Sequence, residues 1–185
     1  MIVEKTDFEG LLIVIPDIFE DDRGYFFESY NCQRYTDKGI SANFVQDNES
    51  MSKSGVIRGL HLQKKDSAQG KLIRIVRGKI FDVAVDLRLN SPTFGKYFSI
   101  ILDDKEKKQV YIPPGFAHGF ASLEDNTILH YKCTNYYNPE TELTLLWNDP
   151  DIAINWPFQN PIVSDKDRKG MTFKDIKNLI LRGEI

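Results

Sequence analysis

A mainly β chain, folded as a double-sheet jelly roll with short helices near its ends, is what three observations predict. Apolar runs of strand length follow one another from residue 44 to residue 134, each closed by turn residues. Aromatic residues reach 12%, with twelve Phe and eight Tyr, and such side chains suit a pleated surface. Only the C-terminal stretch repeats its apolar residues at helical spacing. Many short strands separated by turns fit a sandwich or a barrel, and the double-sheet jelly roll is the best single architecture.

The elements justify themselves in chain order. Leu11 to Ile15 is a short apolar run ended by Pro16, and DDRG then turns the chain into a strand expected over Tyr25 to Tyr30. Residues 31–38 read as a short helix stopped by Gly39. Strands are expected over Val56–Gln63, Lys71–Arg77 and Lys79–Arg88, with Gly78 turning the last two, then over Lys96–Leu102, Gln109–Ile112, Phe116–Leu123 and Thr127–Thr134. The charged DDKEKK at 103–108 suits an exposed hairpin tip, and PPG at 113–115 forces a rigid turn. Phe173, Ile176, Leu179 and Ile180 mark a C-terminal helix before Gly183.

Composition narrows the function. With 185 residues, 41% hydrophobic and 28% charged, the chain reads as one soluble globular domain over 1–185 without repeats or linkers. Net charge is −3 and no basic stretch dominates, which argues against nucleic acid as a partner. No apolar run approaches the ~20 residues that cross a bilayer. The N-terminus MIVEKTDFEG lacks a signal-peptide h-region. Cys32 and Cys133 lie far apart without a CxxC pair and read as reduced thiols, so a cytoplasmic location is expected.

Alternation assigns faces. His61 shares a row with Ile57, Gly59 and Gln63, while Arg58, Leu60 and Leu62 take the other side. Asp82 lies in the row Ile80, Asp82, Ala84, Asp86, opposite the wholly apolar Phe81, Val83, Val85, Leu87, and Tyr131 lies between Leu129 and Cys133. Such rows fit an inward-facing polar site and fit outward residues on half-wet strands equally well. The three histidines, His61, His118 and His130, include no pair on one strand face, and Gln63 stands where a second metal-ligating His would be. No GxSxG, GxGxxG or P-loop occurs, which leaves proton transfer by His, Tyr, Lys and Asp as the chemistry to test.

Seven blocks, in unbroken order, carry a resemblance. DDRGYFFE (21–28), FVQDNESMSKSGVIRGLHLQ (44–63), KLIRIVRGKIFDVAVDLRLNSPTFGK (71–96), IPPGFAHGF (112–120), YKCTNYYNPETE (131–142), WNDPDIAINWP (147–157) and SDKD (164–167) together resemble the dTDP-4-dehydrorhamnose 3,5-epimerase family. The resemblance implies a cupin-like jelly roll (a double-stranded β-helix) that forms a homodimer by strand exchange and needs no cofactor or metal. It implies a dTDP-linked 4-keto-6-deoxyhexose as substrate, inverted at C3 and C5 on the route to dTDP-L-rhamnose. By position in the motifs, His61 matches the base, Tyr131 the acid, Asp167 the carboxylate behind the His, and Lys71 the cation facing the enolate oxygen. Gln46, Asn48, Arg58 and His118 match residues lining the sugar and diphosphate. Lys166 and Arg168 lie near phosphate-binding positions, and Tyr137 matches an aromatic packed on thymine. Arg23, Phe26 and Glu28 match residues contributed across the dimer. Two departures stand out: Leu62 replaces an aromatic after RGLH, and TELTLLWNDP replaces the usual acidic-then-Gly-Ile run. A related single-carbon epimerase or keto-isomerase, a non-catalytic sugar-binding jelly roll and a metal-dependent cupin oxygenase are the competing classes.

Overall fold

The computed structural model describes residues 1–185. It opens with β1 (Ile2–Lys5), β2 (Leu12–Ile15), the hairpin β3 (Phe19–Asp21) and β4 (Gly24–Phe26), and helix α1 (Cys32–Asp37). Eight strands follow: β5 (Gln46–Ser52), β6 (Val56–Gln63), β7 (Lys71–Arg77), β8 (Lys79–Asp86), β9 (Tyr97–Asp103), β10 (Gln109–Ile112), β11 (Phe116–Ser122) and β12 (Thr127–Cys133). The chain ends with β13 (Glu142–Thr144), β14 (Ile162–Val163), α2 (Asp165–Arg168) and α3 (Phe173–Leu181). One sheet runs β1-β2-β10-β7-β12-β5 and the other β13-β6-β11-β8-β9, with β14 added to β6 in parallel. This is the predicted double-sheet jelly roll. No helix is long and apolar enough to cross a membrane.

The space between the sheets is filled at one end by Ile73, Ile75, Ile80, Phe116, Phe120 and Leu129, each worth about 1.5–3 kcal/mol on burial. The other end is left to polar side chains. β8 explains how both faces of one strand are enclosed. Its apolar row packs outward, Val83 and Val85 meeting Leu60, Leu62, Leu145 and Ile176 of α3. Its inner row therefore carries Asp82 and Asp86 into the interior, both with no exposed surface. The thiols of Cys32 and Cys133 are both free.

Buried Asp86 is fully satisfied. It accepts from Arg88 Nε at 2.9 Å, from Ser91 Oγ at 2.6 Å and from Thr93 Oγ1 at 2.6 Å, which closes the loop after β8. Burial alone raises its pKa, but the hydrogen bonds from Arg88, Ser91 and Thr93 outweigh this and hold it at about 2. A depressed folded value stabilises above the unfolded value near ~3.9 and is lost as pH falls through the folded one. Asp86→Asn is therefore expected to lose about 2 kcal/mol at pH 7 and almost nothing relative to wild type near pH 2, as urea titrations at the two pH values would read.

Three local readings need correction. The strand expected over 25–30 stops at Phe26, because Glu28 is drawn to the helix entry by Arg34 and by Asn31, the N-cap of α1. Lys107, placed by its charge on an exposed tip, is only 6% exposed and donates to Tyr25 Oη at 2.9 Å while lying 4.3 Å from the ring centroid. That contact ties the β3–β4 hairpin to the sheets. The third correction concerns β6, where strict alternation fails. Between the paired positions His61–His118 and Arg58–Phe120, β6 carries one residue more than β11, a bulge that reverses the phase of the strand. Ile57 turns to pack with Ala121 and Val163, and Arg58 joins His61 on the cavity side. Gly59 makes this possible with φ +127°, and a Cβ there would stand 2.5 Å from Gly119 Cα. Gly59→Ala is expected to cost about 2–5 kcal/mol and to lower Tm by about 5 °C or more in a thermal melt.

Candidate active site

The polar end of the sandwich opens as a cavity of about 510 Å³ with a side lobe of about 190 Å³. His61, Lys71 and Tyr131 line both lobes. They come from opposite walls. His61 is on β6 of one sheet, whereas Lys71 and Tyr131 are on β7 and β12, adjacent strands of the other.

His61 Nε2 donates to Asp167 Oδ1 at 2.6 Å. A carboxylate only accepts, so in the neutral ring Nδ1 is the unprotonated nitrogen. Asp167 is 3% exposed and sits in α2, whose N-cap Ser164 accepts from the Asp167 amide. Its second oxygen accepts from the Gly59 amide at 3.2 Å. Burial pushes this carboxyl up, but the hydrogen bonds from His61 and Gly59 outweigh it and hold it below the usual range. The result is a permanent anion behind a half-buried imidazole.

The facing wall behaves differently. Enclosure raises the Tyr131 phenol, so it keeps its proton. Enclosure also lowers the Lys71 ammonium, offset in part by Cys133, Asp82 and Glu142. The Lys71 Nζ lies 5.9 Å from the Tyr131 ring centroid. Beside His61 across the strand pair, buried His118 donates through Nε2 to Asp82 Oδ1 at 2.8 Å. The three histidines do not converge, since His61 and His118 each hold their own carboxylate and His130 lies near Asp47 on the other face of β12.

The remaining predicted residues divide into three groups. Arg58, His118 and Lys166 join the larger lobe, and Gln46, Asn48 and Tyr137 the smaller one. Arg58 is braced by Ser52 and the Met51 carbonyl. Gln46 bonds Asn48 and receives the Tyr137 amide. Arg23 and Phe26 stand on the β3–β4 hairpin, around a separate depression, with Phe26 69% exposed. Glu28 lies beyond it against Arg34. Arg168 does not enter the cavity. Its Nε donates to the Val163 carbonyl, and it lines an outer depression with Trp147 and Asn160.

Two residues gain importance only in three dimensions. Glu142 accepts from Tyr137 Oη at 2.9 Å and pairs with Lys166, joining two segments at the mouth. The acidic NPETE stretch gives no hint of which carboxylate turns inward. Asp82 stood in an inward row, but nothing in sequence tied it to His118. Of the departures, Leu62 is 5% exposed, packs in the outer core and also lines the smaller lobe.

A jelly roll in which a half-buried His with a buried Asp partner faces Tyr and Lys across one cavity has the groups that a sugar epimerase requires. The profile of the dTDP-4-dehydrorhamnose 3,5-epimerase family matches residues 5–175, and the chain belongs to that family. It is 52% identical over 169 residues to the dTDP-4-dehydrorhamnose 3,5-epimerase of Salmonella typhimurium, covering 90% of this chain and 92% of the relative. Among solved structures it resembles the dTDP-6-deoxy-D-glucose-3,5-epimerase of Legionella pneumophila in complex with dTDP-4-keto-L-rhamnose. That likeness has TM-score 0.88 and 44% identity, covering 94% of this chain and 92% of that one. It also resembles a 3'-monoepimerase of Streptomyces bikiniensis in complex with dTDP-quinovose, with TM-score 0.87, 31% identity and coverage of 96% and 89%.

Proposed function

We propose that the protein inverts C3 and C5 of dTDP-4-keto-6-deoxy-D-glucose to give dTDP-4-keto-L-rhamnose, in the synthesis of dTDP-L-rhamnose. The observation that carries this reading is the placement of His61, backed by Asp167, on one wall and of Tyr131 and Lys71 on the other. The C4 ketone acidifies the protons on both flanking carbons, because the carbanion delocalises into an enolate. Each inversion then needs a base on one face of the sugar, an acid on the other and a cation at the enolate oxygen. His61 Nδ1 takes the proton, Asp167 stabilises the imidazolium, Lys71 faces the enolate oxygen, and Tyr131 returns a proton from the opposite side. Side chains suffice for these steps, and the proposal includes no cofactor or metal.

The two lobes suit the rest of a nucleotide sugar. Arg58 and His118 line the sugar pocket, Lys166 meets the diphosphate, and Tyr137 with Gln46 and Asn48 takes the thymidine side. Arg168 has no part in this proposal. The exposed hairpin with Arg23 and Phe26, followed by Glu28, fits a homodimer in which strand exchange brings these residues to the partner's site. We place the enzyme in the cytoplasm, with neither nucleic acid nor membrane as partner.

Likeness to a 3'-monoepimerase supports one alternative, inversion at C3 alone. Trapping the product with a 4-keto reductase separates the two. The proposed activity yields the L-rhamno sugar, whereas a sugar of D configuration, inverted at C3 only, establishes the alternative.

A further inference from the structure

Gln63 is a polar side chain of the cavity to which the proton-transfer scheme gives no task. It follows His61 by two positions on β6 and shares its inward face, opposite Glu142 of β13. It is 8% exposed and lines the smaller lobe. Gln69, just before β7, lines the same lobe. Both amides are held by the segment that carries Tyr137. Gln63 Oε1 accepts from the Asn138 amide at 3.1 Å and from Thr141 Oγ1 at 2.9 Å. Gln69 Nε2 donates to the Asn135 carbonyl at 2.8 Å.

These partners decide which end of each carboxamide is turned to the lobe. A backbone N–H only donates and a carbonyl only accepts, so neither amide can be flipped without losing its bond. Gln63 Nε2 and Gln69 Oε1 are therefore the ends left without a protein partner. Neither is sealed from solvent, because Asp82 Oδ2 is the one buried side-chain polar atom that has no partner. The lobe's other two carboxamides are spent on each other and on the strands around them. Gln46 Nε2 donates to Asn48 Oδ1, Gln46 Oε1 takes the Tyr137 amide, and Asn48 Nδ2 meets Cys133 Sγ at 3.6 Å. What remains is one fixed donor and one fixed acceptor on the wall of a space of about 190 Å³.

We propose that Gln63 and Gln69 form a specificity-determining pair: Gln63 Nε2 donates to, and Gln69 Oε1 accepts from, one neutral polar group of the bound nucleotide sugar. The chemistry that fits is a group offering an acceptor oxygen and a donor hydrogen together. A sugar hydroxyl has this character, and so does the imide edge of a pyrimidine base, whose N–H stands beside a carbonyl. An ionised phosphate does not, since it has no hydrogen for Gln69 Oε1. A ligand that satisfies only one of the two amides leaves the other unpaired inside the lobe, and that cost is what makes such a pair selective. This rests on the nucleotide-sugar reading of the cavity, and not on the course of proton transfer.

Gln63→Glu isolates the donor, since a carboxylate still accepts from Asn138 and Thr141 but has no hydrogen to give. The measurement is calorimetric binding of dTDP, dTDP-glucose and inorganic pyrophosphate to wild type, Gln63→Glu and Gln69→Leu, with a thermal melt of each. Pyrophosphate reads the effect of the altered charge alone. Both variants are expected to weaken dTDP-glucose about tenfold more than pyrophosphate. If the pair reads the base, dTDP falls together with dTDP-glucose; if it reads the hexose, dTDP stays with pyrophosphate. Equal losses for all three ligands overturn the proposal and leave Gln63 a clamp of the segment 135–141. The expected pattern in a protein that does not epimerise leaves the pair standing and removes the epimerase reading instead. Should a variant fail to fold, the side-chain ¹⁵N–¹H signals of Gln63 in wild type serve in its place. They must shift with dTDP-glucose, and signals that stay put, or that pyrophosphate moves as far, contradict the pair.

Discussion

His61→Asn is expected to lower turnover of the keto-sugar by about 10³–10⁴-fold, the range that a positioned general base contributes. KM should change much less, because the neighbouring binding groups, Arg58, His118 and Lys166, remain in the cavity. The fold should survive. The His61 side chain is 30% exposed and its principal polar contact is Asp167, whose other oxygen keeps its hydrogen bond from the Gly59 amide in the variant. A melt within a few degrees of wild type, with activity lost, separates chemistry from collapse. A protein that only binds sugars would keep its function in this variant, which is why it is the most informative single substitution.

Tyr131→Phe should give the second largest effect, and one of a different kind. Removing the phenol leaves the base wall whole, so His61 can still take a proton and return it to the same face. The enolate then forms and collapses without inversion. In deuterated water the variant is expected to exchange substrate protons while product falls by about 10²–10³-fold, as NMR of the recovered sugar would show. Loss of exchange together with inversion would mean that Tyr131 takes part in forming the enolate, and the division of labour between the walls would have to be redrawn. The raised pKa of this phenol, caused by its enclosure, keeps the acid loaded at neutral pH.

How far the sequence reached depended on whether a residue's neighbours are local. The paired rows of β8 and β12 follow from period-two alternation, and so Asp82 and Tyr131 were recognisable as candidates before any contact was known. α3 was legible from its apolar spacing, and α1 from its Gly stop. β13 and β14 were not, because segments of three and two residues exist only through pairing to β6. The bulge at Gly59 was equally hidden. A strand's phase reverses there because β11 packs against it, and Arg58 therefore lay on the wrong face by simple counting. Arg168 illustrates the opposite failure: it is one residue from Asp167, yet a helical step turns it out of the cavity. Family resemblance supplied the partnership of His61 with Asp167, separated by 106 positions, which no local pattern encodes.

The central claim is that two walls of one cavity exchange protons with the carbons flanking a ketone. Incubating wild-type protein with dTDP-4-keto-6-deoxyglucose in deuterated water tests it most directly, with His61→Asn alongside. The account predicts deuterium at both C3 and C5 of the inverted sugar for wild type and none above background for His61→Asn. Deuterium entering equally fast without His61, or inversion without solvent label at either carbon, would contradict it.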